Sequence, residues 1–238
     1  MNTTRTPRRL IGTVLLIAAV AATCGDDTDP VSSLACDHYA ELQAAFFGDP
    51  SVMGAAADAF AEAAPESMAD DAAVLVAAFG AASPDAMGSP EFVGAYERIG
   101  DAVFADCDTV AAIDVDGIDY AFDGLPESVD AGRIALRLHN QSETEQPHEI
   151  VVVTGTDGQT ADELRDLPME DLMQQARPVG LAFVNRPGAA ATTLIDLAPG
   201  SYLLVCSLPV VEGGEAPEGD GTPENHAAHG MVATLTVV

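Results

Sequence analysis

From Leu34 to Asp106 the apolar residues fall in alanine-rich stretches with helical spacing, as in helices that bury one face. Punctuation divides this region into four. SLACDHYAELQAAFFG opens with Ser33 as a cap and stops at Gly48, and PSVMGAAADAFAEAA ends before Pro65. PESMADDAAVLVAAFGAA carries acids in its first turn, and SPEFVGAYERIGDAVFADC starts with Ser89 as cap and Pro90 at the first helical position. Near Val110 the pattern changes to short β-rich runs separated by Gly, Pro, Asp and Asn. RIALRLHN and HEIVVVTG read as strands joined by a polar loop, TADELRDLPMEDLMQQA as a brief helical insertion capped by Thr160, and AATTLIDLAPGSYLLVC as strand, turn and strand. In GMVATLTVV, Met231, Ala233, Leu235 and Val237 alternate with Val232, Thr234, Thr236 and Val238, which predicts a final strand with one inward face. The expected architecture is an all-α N-terminal bundle of about four helices, residues 34–109, followed by an all-β sandwich, residues 111–238.

The first 23 residues stand apart. Arg5, Arg8 and Arg9 precede an apolar run, Leu10–Ala22, and then small residues. That is the layout of a secretory signal, with an apolar run too short to favour a spanning helix. The stretch ending at Cys24 resembles a bacterial lipoprotein signal, although Ala21 and Thr23 depart from its usual residues. The resemblance implies acylation of Cys24 and a tether, residues 24–33, on the outer face of the cytoplasmic membrane; without acylation the protein would be secreted.

Charge narrows the partners. The chain has no lysine, and its formal net charge is −29. Three of the nine arginines lie in the signal, so the remainder sets six arginines against 38 acids. Nucleic acid is repelled, and contact with anionic lipid is expected through the acyl anchor alone. A solubilising surface explains this charge; steering toward a basic partner is the alternative.

Four cysteines remain to be placed. Cys36 and Cys107 bracket the helical region. An even number of antiparallel helices brings those two positions to one end of the bundle, which permits a bridge, and export provides conditions in which it persists. Cys206 is left without a partner. It is either a buried small hydrophobe or a metal ligand.

DYAFDGLPESVDAGRIALRLHNQSETEQPHEIVVV, LAPGSYLLVCSLP and HAAHGMVATLTVV together resemble a cupredoxin domain of the plastocyanin and azurin kind. The family pattern has a histidine after a loop that follows an asparagine, a late strand ending Gly-x-Tyr-x-x-x-Cys, then His-x-x-x-Gly-Met. His148, Cys206, His226 and Met231 fall on those positions. The resemblance implies a Greek-key sandwich and one copper ion held by these four residues, with Asn140 tying the ligand loops together. One thiolate, two imidazoles and a weak thioether suit both copper oxidation states. It also implies a redox protein or a copper donor or acceptor as partner.

An electron carrier at the cell envelope is therefore expected; a non-redox copper-delivery protein or a metal-free binding module is the alternative. No nucleophile–base signature, open coordination constellation or phosphate-binding glycine loop points to an enzyme. Nineteen residues, 207–225, separate Cys206 from His226, many of them acidic. Loop closure grows only logarithmically with length, so the insertion permits a site but threatens its rigidity. His229 is out of register, and His139 and His38 match no ligand position.

Overall fold

The computed structural model describes residues 29–48, 50–81, 83–156, 158–211 and 224–238. The signal, Cys24 and most of the acidic insertion lie outside the described residues. Among the described residues no helix is long and apolar enough to cross a membrane.

The helical expectation holds in outline. The helices are α1 (Ser33–Ala45), α2 (Pro50–Ala63), α3 (Ala69–Ala81), the single turn α4 (Pro84–Met87) and α5 (Pro90–Asp106). A 3-10 turn over Glu66–Met68 precedes α3. Ser89 caps α5 by accepting from the Phe92 amide. At α1 the cap is Ser32 rather than Ser33: its hydroxyl accepts from the Ala35 amide at 3.1 Å, and its backbone is extended. Cys36 in α1 and Cys107 at the end of α5 form a disulfide with Cα atoms 5.8 Å apart.

Nine strands follow among the described residues. They are β1 (Ala111–Ile118), β2 (Ala121–Asp123), β3 (Ser128–Val129), β4 (Gly132–Asn140), β5 (His148–Gly155), β6 (Ala176–Val184), β7 (Ala190–Leu197), β8 (Gly200–Val205) and β9 (Val232–Val237). One sheet has the order β2-β1-β4-β7 and the other β3-β9-β8-β5-β6. β1 runs parallel to β4 and β3 parallel to β9, and the remaining pairs are antiparallel. β6 was not expected. Arg177, Pro178 and Gly180 interrupt its apolar pattern, and they are tolerated because it is an edge strand whose pairing shifts at Val152/Val153.

Ile113, Val115, Ile134, Leu136, Leu138, Ile150, Val152, Leu204 and Leu235 fill the space between the sheets. Both outer faces are covered as well. Leu203, Val205 and Val153 pack beneath α6 (Ala161–Arg165) and α7 (Met169–Gln175), with Thr160 forming a reciprocal capping box with Glu163. Ala135 and Leu194, on the other sheet, join the core of the five-helix layer. The Tyr39 hydroxyl donates to the Thr192 carbonyl of β7 at 2.8 Å, and Gln43 donates to the Tyr96 hydroxyl at 2.7 Å. Arg133 reaches Asp37 on α1, Arg137 reaches Asp101 on α5, and Arg186 reaches Glu97 on α5. Helices and sandwich are thus joined by a shared core, buried hydrogen bonds and ion pairs.

Candidate metal centre

Strand periodicity builds the site. Side chains two residues apart share a face, so the inward rows run Ile113, Val115, Gly117 on β1 and Ile134, Leu136, Leu138, Asn140 on β4. They continue as His148, Ile150, Val152 on β5, Tyr202, Leu204 and then Cys206 on and after β8, and Met231 ahead of Ala233 and Leu235 on β9. Gly117 pairs with Asn140, and the Cys206 amide donates to the Met231 carbonyl at 3.1 Å. The last inward positions of five strands therefore meet at one pole.

Three ligand-type side chains gather there. His148, Cys206 and His226 are buried, and one donor atom from each lies within 4.8 Å of the others. Cys206 Sγ is 3.3 Å from His226 Nδ1, and the two imidazole centroids are 5.2 Å apart. Met231 is fully buried beside them in the chain path, its amide donating to the His226 carbonyl at 3.0 Å. Both ring nitrogens of His148 are buried without a hydrogen-bond partner among the described residues. A buried polar atom left unpaired is costly, and an ion held between His148, Cys206 and His226 would offset that cost. Gly117 makes room for this ring: a Cβ on it would lie 3.1 Å from His148 Cδ2.

Burial sets the protonation states. It lowers the pKa of His148 to about 4, with the neighbouring His226 adding to the effect. His226 is lowered too, chiefly by burial and then by His229. The Cys206 thiol is pushed up to about 12, again mainly by burial. At neutral pH the metal-free site consequently holds two neutral imidazoles and a protonated thiol, and a thiophilic ion entering it displaces one proton.

The insertion leaves the site through a fastened neck. Pro209 and Asn225 form a β-bridge, the Val210 amide donates to the Glu224 carbonyl at 2.8 Å, and the His226 amide donates to the Leu208 carbonyl at 2.9 Å. The 3-10 turn His226–His229 starts at an Asn225 cap and ends at Gly230, whose positive φ of 105° suits glycine. The two ends of the insertion are thereby held together at the site, whatever its length.

Asn140 acts differently from the expectation. Its side chain donates to the Gln146 carbonyl and accepts from the Ser142 amide, fixing the β4–β5 loop internally. The loops are joined instead by Glu149, whose carboxylate accepts from both the amide and the hydroxyl of Ser207, and by Gln146, which pairs with Val211. These residues carry no periodic signal in the sequence. Of the other histidines, His229 is exposed, pairs with Glu224 and stacks on Tyr120; His139 pairs with Asp114, and His38 with Glu41.

The paired sheets and the clustering of His148, Cys206 and His226 agree with what the sequence's resemblance to cupredoxins implies. No family model and no curated protein matches the chain. Among solved structures, reduced auracyanin from Roseiflexus castenholzii is similar over 55% of this chain and 98% of its own, at 23% identity and a TM-score of 0.37. Auracyanin A from Chloroflexus aurantiacus, described as a "blue" copper protein, is similar over 54% of this chain and 98% of its own, at 20% identity and 0.33. Reduced rusticyanin is similar over 55% and 81%, at 15% identity and 0.32.

Proposed function

We propose that the protein binds one copper ion through His148, Cys206 and His226, with the Met231 thioether as a fourth, weaker donor, and carries electrons. The observation that carries this reading is the convergence of a buried thiol and two buried imidazoles, one of them with both nitrogens unpaired among the described residues. When bound, copper supplies the one-electron couple. The protein's own residues do the rest. On binding, Cys206 would release its proton and the two neutral imidazoles would offer ring-nitrogen lone pairs. The neck between Leu208 and His226 and the Glu149–Ser207 contact hold the ligand set while the charge changes, which keeps reorganisation small. A sandwich covered on both outer faces adds rigidity.

The same reading places the protein outside the cytoplasmic membrane, tethered through an acylated Cys24, as an electron carrier and not an enzyme. Residues 24–33 act as the tether, 34–109 as the helical domain and 111–238 as the copper domain. Its partner is a redox protein, and the negative charge of the chain favours a basic one.

Addition of Cu(II) to the purified protein tests the proposal. An intense thiolate-to-copper charge-transfer band at one ion per chain, lost in Cys206→Ser, is the expected result. Stoichiometric copper without that band would instead support copper delivery, and no binding at all would support a metal-free module.

A further inference from the structure

The two imidazoles of the site are not held alike. Gln146 is almost fully buried at the end of the β4–β5 loop, two residues before His148. Its side-chain nitrogen donates to the Val211 carbonyl at 2.5 Å, and its Oε1 accepts from the Val211 amide at 2.9 Å. This double pairing fixes which end of the amide is oxygen, because a flipped amide would set donor against donor and acceptor against acceptor. Oε1 also lies 3.3 Å from His226 Nε2. An amide oxygen only accepts, so the proton of a neutral His226 ring sits on Nε2. Nδ1 is then bare, and it is the nitrogen 3.3 Å from Cys206 Sγ. Gln146 is itself secured from behind: its carbonyl accepts from Asn140 Nδ2 at 2.8 Å, and its amide donates to Ser142 Oγ at 3.3 Å. His148 has no comparable partner on either nitrogen among the described residues.

We infer that Gln146 is a positioning residue that fixes the His226 tautomer, turns the Nδ1 lone pair toward Cys206, and links that ring to the neck of the acidic insertion through Val211. The arrangement prepares one imidazole before any ion arrives and leaves the other free to adjust. The role of Nδ1 as a metal donor rests on the copper reading; the tautomer does not. A hydrogen-bond partner behind a ligating imidazole commonly changes metal affinity by about 10- to 100-fold.

Two-bond nitrogen–proton correlation spectra of the imidazoles in the full, metal-free chain near neutral pH test the inference. The wild-type protein is expected to show His226 as a single Nε2–H tautomer. Gln146→Met should convert it to a mixture of tautomers and weaken copper binding at least about tenfold, with the signals of His38 unchanged. Gln146→Glu keeps an acceptor for Nε2–H but loses the donor to Val211, and should restore the tautomer. An Nδ1–H ring in the wild-type protein overturns the inference even if the Met variant does not fold, as does an unchanged Nε2–H ring in a folded Met variant. A correct tautomer in a protein that shows no charge-transfer band would uphold the role of Gln146 and reject the copper reading alone.

Discussion

Tyr39 and His148 are both fully buried, one beneath the helical layer and the other at the pole of the sandwich. The Tyr39 hydroxyl donates to the Thr192 carbonyl and contacts the Tyr96 hydroxyl, and burial raises the pKa of both phenols. His148 has neither nitrogen satisfied among the described residues. Other buried atoms are unpaired too, namely Gln43 Oε1 and the hydroxyls of Thr192 and Thr193, but they are not part of a ligand cluster among the described residues. Under the helices the Tyr39 hydroxyl and the Gln43 amide nitrogen are spent on cohesion, with the arginines and the disulfide beside them. At the pole His148 alone keeps its polar atoms unpaired among the described residues, beside Cys206 and His226. On the proposed copper reading the difference separates stability from binding within one continuous fold, and perturbing either region alone should leave the other intact.

The disulfide gives the largest effect. Closing the 71-residue separation of Cys36 and Cys107 stabilises the chain by about 4 kcal/mol on the chain-entropy estimate. The double variant Cys36→Ala/Cys107→Ala should lose stability of that order in denaturant melts yet bind copper at unchanged stoichiometry under native conditions. A parallel loss of the charge-transfer band would break the separation between the two regions.

Acid should act at the pole. An unfolded histidine takes up a proton near pH 6.5, whereas His148 in the folded protein does so near 4. Between those values the unfolded chain binds the extra proton, so metal-free stability falls as pH falls, by up to about 3 kcal/mol from this residue. His148→Leu should flatten that part of the profile. Cys206 works in the opposite range: its thiol ionises first in the unfolded chain, so stability declines as pH rises from about 9 toward 12. Urea melts across pH check both limbs.

Tyr39→Phe should cost roughly 1–2 kcal/mol by leaving the Thr192 carbonyl without its donor, again with copper binding preserved. Gly117→Ala is the smallest change and the reverse case. Its methyl would press on His148, shifting the ring by a few tenths of an ångström and lowering copper affinity a few-fold, with thermal stability within about 1 kcal/mol of wild type. Copper competition titration beside a thermal melt reads the two quantities together.

Much of this was legible in residue order because period two carries so far. Once β5, β8 and β9 are placed, their inward rows alone bring His148, Cys206 and Met231 to one end. The continuous burial of Ile134, Ala135 and Leu136 also shows a strand covered on both faces, as the helices and the second sheet require. β6 was obscured because an edge strand accommodates Pro178 at an irregularity that a propensity reading treats as a break. Ser32 and Ser33 are equivalent as letters, and only the extended backbone at Ser32 and its hydroxyl's contact with the Ala35 amide decide which one caps α1. Gln146 and Glu149 were hidden for another reason. Their partners, Val211 and Ser207, lie 65 and 58 residues away, and a contact between a loop and a neck leaves no period to read.

X-ray absorption at the copper edge of the loaded full-length protein tests the three-ligand centre most directly. A single short copper–sulfur contact accompanied by two imidazole nitrogens, with the sulfur lost in Cys206→Ser and one imidazole lost in His148→Leu, is expected. A shell of nitrogen and oxygen alone, unchanged by either substitution, would contradict it.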